Sequence, residues 1–199
     1  SRASDPVRPA RRLLDLPRYR AMECVFDRVG PHGRSGMCST SAVQVCLDAG
    51  TAEGVADRWD VLHALGPVLV AAFANSPVLH GRATGWKSSR MACWLSLDPA
   101  RTAPPPPSRN PAHGWAERVL DTPLLCVRGE DSWDVPARVS FADWVEGAAR
   151  GVLGGALSRP PTRADLDYHV STMFPPVRPH GHLEVRYADA QDGRDWASA

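Results

Sequence analysis

Lysine is almost missing from this sequence: of 23 basic residues in 199, Lys87 is the one lysine and the other 22 are arginines. An excess of charge of one sign is missing too. The 22 acidic residues leave a formal net charge of +1, which gives no broad field for nucleic acid or for an anionic membrane surface. Long apolar runs are absent. The longest, Val68 to Ala74, has 7 residues, against the roughly 20 that a bilayer crossing needs. Ser1-Arg2-Ala3-Ser4-Asp5 is polar and lacks the apolar stretch of a secretory leader. Cysteine is sparse and odd in number (Cys24, Cys38, Cys46, Cys93, Cys126), with no C-x-x-C pair. That spacing excludes a zinc ribbon or disulfide framework and suits reduced thiols in a cytoplasm.

The familiar phosphate and nucleophile motifs are missing as well. No G-x-G-x-x-G occurs. Gly81 to Ser88 approaches a phosphate-binding loop, but its glycines stand one residue too close and Trp86 separates Gly85 from Lys87. Gly33-Arg34-Ser35-Gly36 is not G-x-S-x-G. His180-Gly181-His182 offers two imidazoles with no third ligand placed beside them and reads as surface decoration.

What is present is an ordinary globular composition, 43% hydrophobic and 23% charged, enough for one domain with a core. Residues 1–15 read as an exposed polar lead-in. Pro17 suits the first turn of a helix carrying Tyr19, Met22, Phe26 and Val29 and ending at Gly30. Residues 31–36 read as a loop. Thr40 to Asp48 reads as a strand with Val43, Val45 and Leu47 on one face and Gln44, Cys46 and Asp48 on the other. A long helix is predicted from Ala52 to Phe73, kinked at Pro67. Asn75 to Arg90 reads as loop or irregular strand, 102–110 as a proline-rich loop, and Thr122 to Val127 as a short strand. Ser140 with Asp143, and Thr162 with Asp165, are capping-box signatures of two further helices. The first should bury Phe141, Trp144, Val145 and Val152. The second carries His169, expected as a core histidine. His182 to Ala188 alternates again, Leu183, Val185 and Tyr187 against His182, Glu184 and Arg186. Without a regular βαβ rhythm the fold class is α+β with an antiparallel sheet.

Three groups of polar residues could carry chemistry. Glu184 and Arg186 stand about 7 Å apart on one strand face, from a rise of about 3.3 Å per residue. They could hold a divalent cation and phosphate oxygens, or form a solvated face with a cross-strand ion pair. Gln44 and Asp48 could line a polar site or be merely exposed. Arg90 could clamp a carboxylate with both arms of its guanidinium, or be a surface arginine; Arg178 is equally open.

Taken in order, four segments change this balance: Pro17 to Met22; Met37 to Asp48; Phe73 to Pro77 continuing through Gly81 and Gly85 to Ser88-Ser89-Arg90 and Trp94; and His169, Thr172, Phe174 to Arg178 with Leu183 to Asp189. The series resembles the plant-type and actinobacterial glutamate–cysteine ligases, nearest the actinobacterial branch that opens ergothioneine biosynthesis. The resemblance implies a glutamine synthetase-like fold, with an antiparallel sheet lining an active-site funnel and helices on the outer face. It implies ATP-dependent joining of the L-glutamate γ-carboxylate to the L-cysteine amine through γ-glutamyl phosphate, with Mg²⁺. It assigns Glu184 to the metal and catalysis, Arg186 to catalysis and the ATP phosphates, and Gln44 to nucleotide and metal. Arg90, with Asn75, Ser89 and Trp94, goes to the glutamate pocket, and Arg178 and Tyr187 to the amino-acid substrates. Nucleic-acid and membrane partners are not expected. The family's further acidic metal ligands precede the position matching Pro17, so 16–199 reads as the central part of a catalytic domain with an incomplete metal cluster. On the residues alone, a related glutamate–amine ligase and a non-catalytic amino-acid-binding regulatory domain stay open.

Overall fold

The computed structural model describes residues 9–198 except Arg109, Asp131 and Leu153; the first eight residues of the lead-in lie outside the described residues. Pro17 opens helix α1 (Pro17–Val29) where a missing N–H costs nothing, and Gly30 ends it. Ala21, Met22 and Phe26 are buried. Val29, predicted in the same stripe, lies past the edge of the core and is half exposed. The segment predicted as a loop winds into helix α2 (His32–Cys38). A Cβ on Gly33 would stand 2.6 Å from Phe26 Cβ, so this glycine serves close packing of α2 on α1 rather than flexibility.

After strand β1 (Val45–Leu47), the single long helix of the sequence reading is two helices, α3 (Val55–Ala64) and α4 (Gly66–Ala72). Pro67 lies in the first turn of α4, so it starts a helix instead of kinking one. Residues 75–90 hold a small hairpin, β2 (Val78–Leu79) and β3 (Arg82–Ala83), around a two-residue turn. His80 and Gly81 both have positive φ there, 49° and 74°. Helix α5 (Ser89–Leu95) follows at once, with the Ser88 hydroxyl accepting from Met91 N. Helices α6 (Pro99–Thr102) and α7 (Pro111–Asp121) flank the proline segment; Asn110 caps α7.

Leu124 to Val127 are buried as predicted, but not as a strand: only Pro123 bridges, to Ser140. An apolar run of this length satisfies a helix-walled slot as well as a sheet. Both capping boxes form, on α8 (Phe141–Ala149) and α9 (Arg163–Val170). Val145 and Val152 are exposed, so the buried stripe of α8 is narrower than predicted.

Strands β4 (Val177–Pro179) and β5 (Leu183–Val185) complete a three-stranded antiparallel sheet of order β1-β5-β4. The two predicted strands, 40–48 and 182–188, thus shorten to three residues each. Past β5 the chain stays close to 42–43 through the Ala42–Asp189 bridge and the Val43 N to Ala188 O hydrogen bond. Val45, Val177, Leu183, Val185 and Tyr187 face one way, onto Trp59, Leu62 and Leu69 of α3 and α4. This mixed, antiparallel arrangement is α+β. No helix among the described residues is long and apolar enough to cross a membrane.

Candidate functional site

The face of the sheet opposite the helices is polar. Strand register aligns Cys46, Glu184 and Arg178 in one row, and alternation puts Gln44 and Arg186 on the same side. Glu184 is buried, 7% exposed, so its carboxylate needs partners. Arg178 Nε lies 2.6 Å from its Oε2, an ion pair by distance whose N–H is not aligned as a hydrogen bond. The Gln44 amide, oriented to satisfy both neighbours, donates to Glu184 Oε1 at 2.8 Å and accepts from Arg186 Nε at 3.2 Å.

Arg186 is held less completely. Its guanidinium lies 5.3 Å from the Trp94 ring and 6.0 Å from that of Phe174, and its Nη1 is buried with no hydrogen-bond partner. Desolvation, reinforced by repulsion from Arg178 and Arg90 and opposed by Glu184, pushes its pKa down to about 10. A cation in that position is short of negative charge.

Arg90, near the start of α5, is 4% exposed. Nε donates to Asp189 Oδ1 at 2.8 Å, and Nη2 to the carbonyls of Arg186 at 2.9 Å and Tyr187 at 2.7 Å. A two-armed grip on a substrate carboxylate needs two neighbouring nitrogens with free hydrogens. Those bonds use Nε and both hydrogens of Nη2, so the predicted bidentate clamp is not available at Arg90.

Arg90, Arg186, Gln44 and Trp94 line a hollow of about 680 Å³, closed on another side by Arg11 and Arg12 of the lead-in and by the segment from Gly36 to Ala42. Four of its lining residues are arginines, and among the described residues no Asp or Glu lines it. Arg12 answers to Asp15 and Glu23 outside the hollow. The hollow between α4 and α5, about 700 Å³, is similar in size but lined mostly by apolar side chains.

The model of glutamate-cysteine ligase family 2 (GCS2) matches residues 2–199. The chain belongs to that family. It is 46% identical over 200 residues to glutamate–cysteine ligase EgtA of Mycolicibacterium smegmatis, covering 98% of this chain and 46% of that enzyme. It is 44% identical to EgtA of Mycobacterium tuberculosis H37Rv, 97% and 45% covered. The chloroplastic glutamate–cysteine ligase of Nicotiana tabacum is 32% identical over 185 residues, 89% and 35% covered. The chain therefore spans just under half the length of the EgtA enzymes.

The residues that the family resemblance singled out divide in two. Gln44, Arg90, Trp94 and Arg186 meet at the hollow, and Glu184 and Arg178 adjoin it through Gln44. Asn75, Ser89 and Tyr187 do not reach it. Asn75 binds Asp189 and the Ala190 carbonyl, Ser89 contacts Thr84, and the Tyr187 ring packs into the core under the sheet against Gly66. Tyr187 shares the parity of Leu183 and Val185, so the alternation itself points it away. The described residues do not fit a Mg²⁺ ion. Mg²⁺ takes carboxylates, phosphates and water in an octahedron, whereas both oxygens of Glu184 are engaged by Arg178 and Gln44. No cluster of three His, Cys, Asp or Glu forms among the described residues. His180 and His182 flank the β4–β5 turn, rings 5.8 Å apart, without a third partner of that kind. His169 is a core residue, 3% exposed, as expected.

Proposed function

We propose that this chain carries the anion-binding wall of an ATP-dependent ligase joining the γ-carboxylate of L-glutamate to the amine of L-cysteine, in ergothioneine biosynthesis. The observation that carries the reading is a hollow lined by four arginines and, among the described residues, by no Asp or Glu, with Arg186 holding a buried nitrogen that has no hydrogen-bond partner. Of these arginines Arg12 and Arg90 are paired with carboxylates outside the hollow, and Arg186 is the one whose charge an entering anion would best meet. Triphosphate is a polyanion, and glutamate carries two carboxylates. The names of the mycobacterial relatives supply the choice of reaction.

A carboxylate is a poor electrophile. In the proposed sequence a γ-carboxylate oxygen attacks the γ-phosphorus of ATP and the bond to the β-phosphate oxygen breaks, releasing ADP. The cysteine amine then attacks the acyl carbon of γ-glutamyl phosphate; the carbon–oxygen bond breaks, phosphate leaves, and the amine loses a proton. Arg186 offsets charge on the phosphoryl oxygens. Trp94 holds the guanidinium plane and walls the hollow. Gln44 and Arg178 keep Glu184 from neutralising Arg186. The sheet is read as one wall of a glutamine synthetase-like funnel with α3 and α4 behind it.

ADP release measured with glutamate alone, cysteine alone and both together tests the proposal. Rapid release with the pair, and γ-glutamylcysteine as product, is the expected result. Equal rates with a different amine would make the protein a related glutamate–amine ligase. Glutamate binding with no ATP cleavage under any condition would make it a non-catalytic binding domain and end the proposal.

A further inference from the structure

Arg90 lines the hollow, but its charge is matched by Asp189, and this pair is densely connected. Asp189 is fully buried, and four donors converge on it. Ser88 Oγ at 2.9 Å and Arg90 Nε at 2.8 Å bind Oδ1; Asn75 N at 2.8 Å and Ser76 Oγ at 2.7 Å bind Oδ2. Ser76 Oγ also accepts from Arg90 N at 3.1 Å, so backbone and guanidinium of residue 90 are both tied to this knot. The free end of the guanidinium reaches across to the carbonyls of Arg186 and Tyr187. These peptide groups lie just past β5, and they bear the Arg186 side chain.

We infer that Asp189 and Arg90 form a brace that aims Arg186 at the bound anion by gripping the carbonyls of residues 186 and 187. Both are positioning residues. A planar guanidinium fixed at one edge by a saturated carboxylate has almost no freedom at the other edge. With the brace loosened, Arg186 keeps its charge but loses its register against Trp94 and Gln44. The inference rests on the ligase reading for the identity of the anion only; the brace itself needs no turnover.

The test uses the protein and its variants Arg186→Lys, Asp189→Asn, Arg90→Lys and the double variant Asp189→Asn/Arg186→Lys. Binding of inorganic tripolyphosphate is measured by calorimetry, and KM and kcat for ATP, glutamate and cysteine by steady-state kinetics. Asp189→Asn and Arg90→Lys should each weaken tripolyphosphate by about tenfold, the scale of a small misplacement of a binding group. They should raise KM for the same substrate as Arg186→Lys does, and the double variant should be little worse than the worse single one. Wild-type affinity in folded Asp189→Asn overturns the brace, as do fully additive losses or a KM change confined to another substrate. A wild-type protein that ignores the probe overturns it too. Should Asp189→Asn fail to fold, Ser76→Ala removes one donor and leaves the charge pair. A loss of about threefold on the same substrate then supports the brace, and no loss overturns it. The binding pattern without any turnover supports the brace and counts against the ligase reading alone.

Discussion

Acidification should destabilise this protein through the histidines whose pKa burial lowers, His169 above all; His63 adds in the same direction, in the wild type and in the His169→Phe variant alike. His169 on α9 is 3% exposed. Its Nε2 hydrogen bonds to the Val119 carbonyl at 2.9 Å, its ring stacks on Phe141 with centroids 5.4 Å apart, and its Nδ1 is buried with no partner. Protonating Nδ1 would put a charge in the core facing Arg101, with no acceptor. Desolvation, with repulsion from Arg101 adding to it and the Val119 bond opposing it, holds the pKa down to about 4 against an ordinary 6.5. Between those values the unfolded chain binds a proton that the folded chain refuses, so stability falls as pH falls through the window and levels off below it. At about 1.4 kcal/mol per unit, lowering the pH from 7 to 5 should cost about 2 kcal/mol from this group. Urea unfolding at pH 7, 6 and 5, followed by tryptophan fluorescence, measures the change. The His169→Phe variant, which keeps a stackable ring without a titratable nitrogen, should lose most of the dependence over the same range, whatever its absolute stability. The carboxylates do not confuse the window: Asp165, the buried acid of α9, has its pKa pulled far below it by Arg159. If wild type and His169→Phe show equal losses from pH 7 to 5, the histidine is charged in the folded state and the reasoning fails.

Other outcomes are expected together with this one. Arg186→Gln should raise KM for the anionic substrate it contacts by tenfold or more, about 1.4 kcal/mol or above for losing a charge-assisted contact; unchanged kinetics for all three substrates would remove Arg186 from the site. Cys24 and Cys46 are exposed and should be modified quickly by an aromatic disulfide reagent at pH 8. Cys93 and Cys126 should react only in denaturant, because burial raises both thiols, Cys126 to about 11; rapid reaction of four or more thiols in the native protein would contradict that burial. Thr162→Ala removes the side chain that accepts from Asp165 N and donates to Asp165 Oδ2. It should lower stability by about 1 kcal/mol, read as a lower midpoint in thermal unfolding, and a midpoint equal to wild type would show that the cap contributes nothing.

Local rules carried the sequence reading where a few neighbouring residues decide the structure. Pro17 and Gly30 bound α1, and both capping boxes form, because caps and termini depend on contacts within four residues. The alternation Leu183-Glu184-Val185-Arg186 held because a strand with one face on a core cannot slip by one. Reading failed where distant residues decide. Gly33 looked like a loop residue; its role is to admit Phe26, which no local pattern announces. Leu124 to Val127 had the composition of a strand, but its neighbours are α1, α8 and the irregular segment 133–139, to which it is joined, among the described residues, by only two backbone hydrogen bonds, Leu124 N to Val139 O and Val127 N to Trp133 O. The Arg90 role could be narrowed only with coordinates, since one guanidinium serves a ligand, a carboxylate or a carbonyl equally well. Asp189 was missed although a signal existed. It shares the parity of Leu183, Val185 and Tyr187, and a carboxylate on the buried side of an alternating stretch requires a buried cation. Arg90 is that cation.

Gln44 shows how a site can keep a cation hungry. Glu184 and Arg186 sit two residues apart on one face, and left alone they would pair and cancel. Two features prevent it. Arg178 from the outer strand forms an ion pair with Oε2 of Glu184, which draws the carboxylate's charge to the far side without an aligned hydrogen bond. Gln44 stands between the two and answers each with a different atom, its nitrogen to Glu184 and its oxygen to Arg186. A dipole in that position satisfies hydrogen bonds without transferring charge. A second carboxylate there would quench Arg186, and a cation would repel it while tightening on Glu184. The neutral amide therefore leaves Arg186 hydrogen-bonded at Nε with its charge only partly offset by Glu184, while Nη1 has no hydrogen-bond partner and burial pushes the pKa down. The charge deficit faces a hollow that no Asp or Glu of the described residues lines, so an entering anion gains the attraction that Glu184 leaves unclaimed.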